Sequence, residues 1–335
     1  MDKVGILLTN IGTPVSSEPQ DVGSYLSEFL MDPLVIDIPW IFRWILIQVL
    51  VVPKRKFASS EAYKKIWMKE GSPLLVYSQR LQVKLVEEMG SQFSVKLGMR
   101  YSKPSIQEAM TEFRNEKVTK LLVIPMYPQF ADSSTTSCLR EVEKYSEGIQ
   151  LKLLDAFYDQ SAFIDSYAQI VSEKLKNNAV DYYLFSYHGL PERQIKRLHP
   201  EHCFKSENCC EKICDQNLNC YRAQCVKTTD LLAKALGLKA SQFSISFQSR
   251  LGRTKWIEPY TDFVLPELAA KGVKKLAVIC PSFVADCLET LEEIGIRGKS
   301  DFIKAGGEEL QLIPCLNDDA GWVKELSQII RKLNN

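Results

Sequence analysis

Two short segments of this sequence carry side chains suited to handling protons and metal ions. The first is Ser186-Tyr187-His188-Gly189-Leu190-Pro191-Glu192-Arg193. It sets one of only three histidines directly after the apolar run 182–185, which reads as a buried parallel strand. The second is Phe283-Val284-Ala285-Asp286-Cys287-Leu288-Glu289-Thr290-Leu291-Glu292-Glu293, directly after another such run, 276–279. If 286–295 is helical, spacings of three and four place Asp286, Glu289 and Glu293 on one face, with Cys287 turned away from it. Neutral imidazole accepts protons near neutral pH and ligates metals. Carboxylates are hard oxygen donors that hold divalent ions and protons loosely enough to pass them on. A strand-end histidine and an acidic helix face together make a site for exchanging a metal ion against protons.

Such a site needs a scaffold that presents strand ends. Strands are expected at 4–8, 93–99 and 121–124, then at 182–185, 243–247, 276–279 and 309–313. Helical patterns separate them, among them 105–116 and 228–236. The segment 318–333 reads as an amphipathic helix with an acidic start and a basic end, which suits the helix dipole. The chain also repeats itself. Val118-Thr119-Lys120-Leu121-Leu122-Val123-Ile124-Pro125 resembles Val273-Lys274-Lys275-Leu276-Ala277-Val278-Ile279-Cys280-Pro281, and Ala131-Asp132 answers Ala285-Asp286. Leu8-Thr9-Asn10-Ile11-Gly12-Thr13-Pro14 similarly answers Phe185-Ser186-Tyr187-His188-Gly189-Leu190-Pro191. The pattern predicts an α/β protein of two similar Rossmann-like domains, each a doubly wound parallel sheet, with ligand-type residues at the carboxyl edges of the strands.

At 335 residues the chain is too long for one ordinary core, and 45% apolar with 25% charged residues suits a globular protein. A net charge of +1 and no basic cluster interleaved with aromatics argue against a nucleic-acid partner. The start Met1-Asp2-Lys3-Val4-Gly5 lacks a signal-peptide layout, so the expected location is cytoplasmic. Residues 38–52 are strongly apolar, with Trp40, Phe42 and Trp44 close together and Lys54-Arg55-Lys56 following. Prolines and charges interrupt the run well short of the about 20 residues of a membrane span. It reads either as a core helix or as an interfacial lip that grips a flat apolar ligand and touches a membrane surface peripherally. Ten cysteines are many for a reducing compartment, and Cys203, Cys209, Cys210, Cys214, Cys220 and Cys225 lie close together, a pattern more typical there of metal than of disulfides.

From Val4 to about Leu316 the sequence resembles the ferrochelatases, which insert ferrous iron into a porphyrin and belong to the lyase class of haem-synthesis enzymes. The motifs above carry the resemblance, together with Gly71-Ser72-Pro73, Arg100-Tyr101, Tyr127-Pro128-Gln129-Phe130, Ser134-Thr135-Thr136 and Phe247-Gln248-Ser249-Arg250 with Trp256. It implies a chelatase-like pair of domains with a porphyrin cleft between them. The expected boundaries are 1–155 with an apolar lip at 34–57, 156–316 with a cysteine insertion at 199–220, and a helix 317–335 packing back on the first domain. It implies that His188 is the catalytic base and Glu289 its partner, both touching the substrate Fe²⁺, and that Asp286 and Glu293 extend an acidic path. It also implies that Ile11, Arg100, Tyr101, Tyr127 and Trp256 line the porphyrin site, with Lys64 and Lys65 near its propionates. Protoporphyrin IX is the expected substrate because the lip is apolar. A cobalt or nickel chelatase of another tetrapyrrole, or a non-catalytic haem- or iron-binding redox sensor, is the alternative.

The cysteine cluster interrupts this resemblance. Cys225 stands where relatives without the insertion also carry cysteine, leaving Cys203, Cys209, Cys210, Cys214 and Cys220. Some ferrochelatases carry a [2Fe-2S] cluster, so the expected cofactor is such a cluster on Cys203, Cys210, Cys214 and Cys220, with Cys209 as substitute. Four thiolates equally suit tetrahedral zinc.

Overall fold

The computed structural model describes residues 3–206, 208–252 and 254–335; Met1, Asp2, the insertion's Glu207 and Arg253 lie outside them. The chain divides into two compact units. One comprises the residues up to Tyr127 with Ala131–Asp155 and Asp318–Asn335, the other Pro128–Phe130 with Ala156–Asn317.

The first unit is built on four parallel strands, β1 (Val4–Gly12), β2 (Phe93–Tyr101), β3 (Lys120–Pro125) and β4 (Gln150–Leu153), in the order β2-β1-β3-β4. Continuous apolar runs form the central strands because helices cover both faces: Ile6, Leu7, Leu8 and Leu121 to Ile124 are all buried. Met110, Phe113 and Val142 from the flanking helices close over one face. The edge strand β4 was not legible in the sequence, being four residues long and half-exposed. Gly12 ends β1 at φ +103°, and a Cβ there would collide with the Tyr101 carbonyl, so the turn after Ile11 requires glycine.

The C-terminal helix Ala320–Asn334 belongs to this unit. Asp319 caps it by accepting from the Trp322 N–H at 3.0 Å. Trp322, Leu326 and Ile330 are buried, Lys84 pairs with Asp318 at 2.6 Å, and Arg331 donates to the Glu88 carbonyl at 2.8 Å.

The second unit repeats the plan. Its strands β5 (Tyr182–His188), β6 (Phe243–Gln248), β7 (Lys275–Ile279) and β8 (Glu309–Leu312) run parallel in the order β6-β5-β7-β8. The two strands that resemble each other in sequence, β3 and β7, hold the same place in their sheets. His188 is the last residue of β5, paired with Gln248 at the end of β6.

Among the described residues three segments wind more loosely than an α-helix. Ile45–Val51, Asp132–Thr136 and Glu289–Gly298 are π-helices, in which each N–H reaches one residue further back. The last replaces the α-helix expected at 286–295, and Asp286 falls outside it. The apolar segment 38–52 presents its aromatics outward: Trp40, Phe42 and Trp44 are 61%, 63% and 43% exposed. It is therefore not a core helix. Among the described residues no helix is long and apolar enough to cross a membrane.

Candidate active site

His188 is fixed through its backbone and its ring. Its N–H donates to Ser282 Oγ at 3.0 Å, and its carbonyl accepts from the Tyr221 hydroxyl at 2.8 Å. Its ring Nδ1 lies 2.6 Å from the Gly189 carbonyl oxygen. A carbonyl only accepts, so Nδ1 carries the proton and Nε2 keeps its lone pair. The next residue must be small, since a Cβ at Gly189 would sit 2.8 Å from the Gln248 carbonyl oxygen. Phe283 and Trp256 flank the imidazole at ring-centroid distances of 6.3 and 6.4 Å, and Trp256 Nε1 donates to the Leu251 carbonyl at 2.9 Å. In its neutral form an imidazole so held between aromatic walls suits proton abstraction from a flat apolar ligand.

The π-helix brings two acids to the same region. Glu293 takes two hydrogen bonds from Ser249, from its N–H at 2.8 Å and from its hydroxyl at 2.5 Å. Burial pushes the Glu293 carboxyl up; the Ser249 hydroxyl pulls it down, Glu289 raises it further, and His188 and Arg297 lower it. Glu293 thus feels the charges of both Glu289 and His188. Gln248 Nε2 donates to the Glu289 carbonyl at 2.7 Å, tying the start of the π-helix to the strand beside His188.

The other acids of this segment are occupied. Glu292 is buried and pairs with Arg297 at 2.8 Å. Asp286 is also buried and accepts from Thr290 Oγ1 at 2.9 Å, from Asn317 Nδ2 at 2.7 Å and from the Cys315 N–H at 3.3 Å. Both its oxygens hold the chain together, so Asp286 does not extend the acidic face. Cys287 was expected to point away from the acids. It is buried, and burial followed by the charge of Glu289 pushes its thiol well above the ordinary range.

In the first unit the expected porphyrin residues divide. Ile11 is partly exposed at the end of β1, its N–H held by Asn10 Oδ1 at 2.8 Å. Tyr127 is also partly exposed, with its hydroxyl 3.3 Å from Cys138 Sγ. Lys64 is exposed beside Glu61 at 3.0 Å. Arg100 and Tyr101 are committed to a buried carboxylate that the sequence did not reveal. Asp32 Oδ2 accepts from Arg100 Nη2 at 2.8 Å, from the Tyr101 hydroxyl at 2.9 Å and from Ser137 Oγ at 2.6 Å, while Oδ1 accepts from the Leu34 N–H at 2.7 Å. Burial raises the Asp32 carboxyl, but Ser137, Leu34, Tyr101 and Arg100 outweigh it and hold it below the ordinary range. Tyr101 is 1% exposed and has no surface to offer a ligand. Its placement in the porphyrin site is corrected here: it is a core residue. Packing explains this: both side chains converge on Asp32 Oδ2, and that contact closes Tyr101 off from solvent.

The sequence matches the family model described as Ferrochelatase over residues 3–333. It is 48% identical over 336 residues to the ferrochelatase of Ectopseudomonas mendocina, covering 98% of this chain and 97% of that one. It is 47% identical over 332 residues to that of Coxiella burnetii strain Dugway 5J108-111, covering 99% and 94%. It is 45% identical over 337 residues to that of Bdellovibrio bacteriovorus, covering 99% and 100%. The chain belongs to the ferrochelatase family. It is an enzyme of the class that inserts iron into porphyrin. Among solved structures it is similar to SirB from Bacillus subtilis with Fe3+, at a TM-score of 0.56 and 9% identity over 99% of this chain and 95% of that one, which speaks for the chelatase fold alone.

Within this ferrochelatase fold the cysteine-rich segment forms a string of turns leading into the helix Tyr221–Ala235. Cys203, Cys209, Cys210 and Cys220 are buried, and Cys214 is exposed. The sulfurs of Cys203 and Cys220 are 3.3 Å apart and those of Cys209 and Cys210 3.7 Å. The Cys220 thiol and burial push Cys210 upward, while Arg222, whose Nη1 lies 3.4 Å from the Cys210 sulfur, pulls it down. Asn217 knits the turns: its Oδ1 accepts from the Cys214 N–H at 2.7 Å, and its Nδ2 donates to the carbonyls of Cys209 at 3.1 Å and Lys212 at 2.9 Å. The structure thus gathers Cys209 rather than Cys214 with the other three. The thiols bond to one another, and among the described residues no group of three or more histidines, cysteines or acids is arranged around a metal position.

Proposed function

We propose that this ferrochelatase inserts Fe²⁺ into protoporphyrin IX, with His188 Nε2 as the base that takes the pyrrole protons. One observation carries this reading: His188 Nδ1 lies 2.6 Å from the Gly189 carbonyl oxygen, which puts the lone pair of the neutral ring on Nε2, in a residue that acts electrostatically on Glu293. Insertion exchanges one dication for two protons. Glu289 and Glu293 carry the incoming Fe²⁺ as substrate, since a hard carboxylate pair holds it without the affinity that soft ligands would impose. Trp256 offers an indole face to the macrocycle beside His188. Arg100 acts through Asp32 rather than on a propionate.

The exposed Trp40, Phe42 and Trp44, followed by Lys54-Arg55-Lys56, support a lip that admits an apolar porphyrin and rests on an anionic membrane surface from the cytoplasmic side. The cysteine segment takes a [2Fe-2S] cluster, with zinc as the alternative metal. What supports this is the set of four neighbouring thiols, Cys203, Cys209, Cys210 and Cys220, with the Arg222 guanidinium at hand to stabilise thiolate. When bound, the cluster would order a polar loop that buries little apolar surface of its own.

The deciding experiment is an anaerobic assay of Fe²⁺ insertion by the purified protein and by His188→Ala. The variant should lose about 100-fold or more in kcat while still binding porphyrin, because a general base lowers the barrier rather than the binding energy. Turnover within threefold of wild type would remove His188 from the role of base.

A further inference from the structure

The turn after β6 carries a strain that the fold alone does not require. Ser249 has φ +66°, in the left-handed region that residues with a Cβ avoid and that glycine or asparagine usually fills. This conformation aims the N–H and the hydroxyl of one residue at one carboxylate: 2.8 Å to Glu293 Oε1 and 2.5 Å to Oε2. The residue before it ties the same turn to the rest of the site. The Gln248 carbonyl accepts from the Gly189 N–H at 2.8 Å, its Oε1 from Ser186 Oγ at 2.7 Å, and its Nε2 donates to the Glu289 carbonyl at 2.7 Å. Glycine at 249 would relieve the strain and keep the N–H, yet could not supply the hydroxyl. A strained backbone whose side chain completes a two-point grip on a buried acid is the sign of an orienting device.

We propose that Ser249 is a positioning residue for metal transfer: its N–H and hydroxyl hold both oxygens of Glu293 so that this carboxylate stays set beside Glu289 to receive Fe²⁺. The inference rests on the reading of Glu293 as the second carboxylate of the metal path. Without the grip the Glu293 side chain regains its rotamers, and the pair no longer presents one preformed pocket to the ion.

The test compares Ser249→Ala, Ser249→Gly, Glu293→Gln and the double variant Ser249→Ala/Glu293→Gln in anaerobic kinetics, with Fe²⁺ and protoporphyrin varied separately. Both serine variants should raise the KM for Fe²⁺ about tenfold, the effect of losing one hydrogen bond to a charged group, and leave the porphyrin KM unchanged. The double variant should be no worse than Glu293→Gln, because the serine acts only through that acid. If the serine mattered only for the backbone, Ser249→Gly would melt no lower than wild type with an unchanged KM for iron, and the proposal would be overturned. A rise in porphyrin KM instead would assign the hydroxyl to the macrocycle and likewise overturn it. An impaired Glu293→Gln beside normal serine variants sinks the role of Ser249 alone. A normal Glu293→Gln sinks the metal-path reading itself.

Discussion

Replacing Asp32 separates residues that touch the ligand from residues that hold the scaffold. Asp32 is 6% exposed and accepts four hydrogen bonds, from Leu34, Arg100, Tyr101 and Ser137. In Asp32→Ala the neutral donors Leu34 N–H, Tyr101 hydroxyl and Ser137 hydroxyl each lose about 1 kcal/mol of net stabilisation. Arg100 also loses its closest carboxylate. Its side chain is 17% exposed and keeps Ser137 Oγ at 2.7 Å and Glu141 at 3.7 Å, so that loss falls at the low end for a broken buried pair. Adding about 3 kcal/mol for it gives about 6 kcal/mol in all, a large share of a typical domain's about 5–15 kcal/mol. Tyr101→Phe removes one donor and should cost only about 1 kcal/mol. Urea unfolding followed by tryptophan fluorescence measures both, and porphyrin KM on the folded variants completes the comparison. The pH dependence has a definite sign. The Asp32 carboxyl is held below the ordinary aspartate value, so its contribution is full above the unfolded value and is lost as pH falls through the lower folded value. Stabilities of wild type and Asp32→Ala should therefore converge in acid. The reasoning fails if Tyr101→Phe raises the porphyrin KM tenfold without loss of stability.

Two further outcomes are expected. Replacing Trp40, Phe42 and Trp44 together with serine should weaken binding to porphyrin and to anionic liposomes while the unfolding midpoint stays put, because all three are exposed; a collapse of stability with binding unchanged would make the segment core. In protein purified without oxygen, Cys209→Ser should abolish the visible absorption of a cluster and Cys214→Ser should retain it, since only the former thiol is buried beside its fellows. The opposite order would restore Cys214 to the ligand set, and a colourless wild type carrying zinc would replace the cluster.

What the sequence made legible was whatever local pattern dictates. Continuous apolar runs became central parallel strands because both their faces are covered, and His188 was conspicuous as a polar residue at the end of one. The lip was readable as an apolar segment, but only exposure decided between core and surface. The Asp32 node was not readable, because its partners stand 68, 69 and 105 positions away and nothing near Asp32 marks it as buried. The π-helix at Glu289–Gly298 also escaped: its residues would serve an α-helix equally well. Asp286 and Glu293 look alike in sequence. One is captured by Asn317, whose φ of +50° no pattern announces, and the other by Ser249 at φ +66°.

Those captures set the charge of the site. Of the four acids between 286 and 293, Asp286 is bound by Thr290, Asn317 and the Cys315 N–H, and Glu292 is neutralised by Arg297 at 2.8 Å. That leaves Glu289 and Glu293, two carboxylates for one dication. A larger acidic cluster would hold Fe²⁺ too tightly to release it to four pyrrole nitrogens, and a single carboxylate would leave an uncompensated charge in a buried place. Burial and the charge of Glu289 both raise the Glu293 carboxyl, so the two acids are not independent of each other. On the proposed reading, a site of one imidazole and two carboxylates matches the stoichiometry of the reaction, one Fe²⁺ in and two protons out, and the acids held elsewhere in the segment are what keep that count.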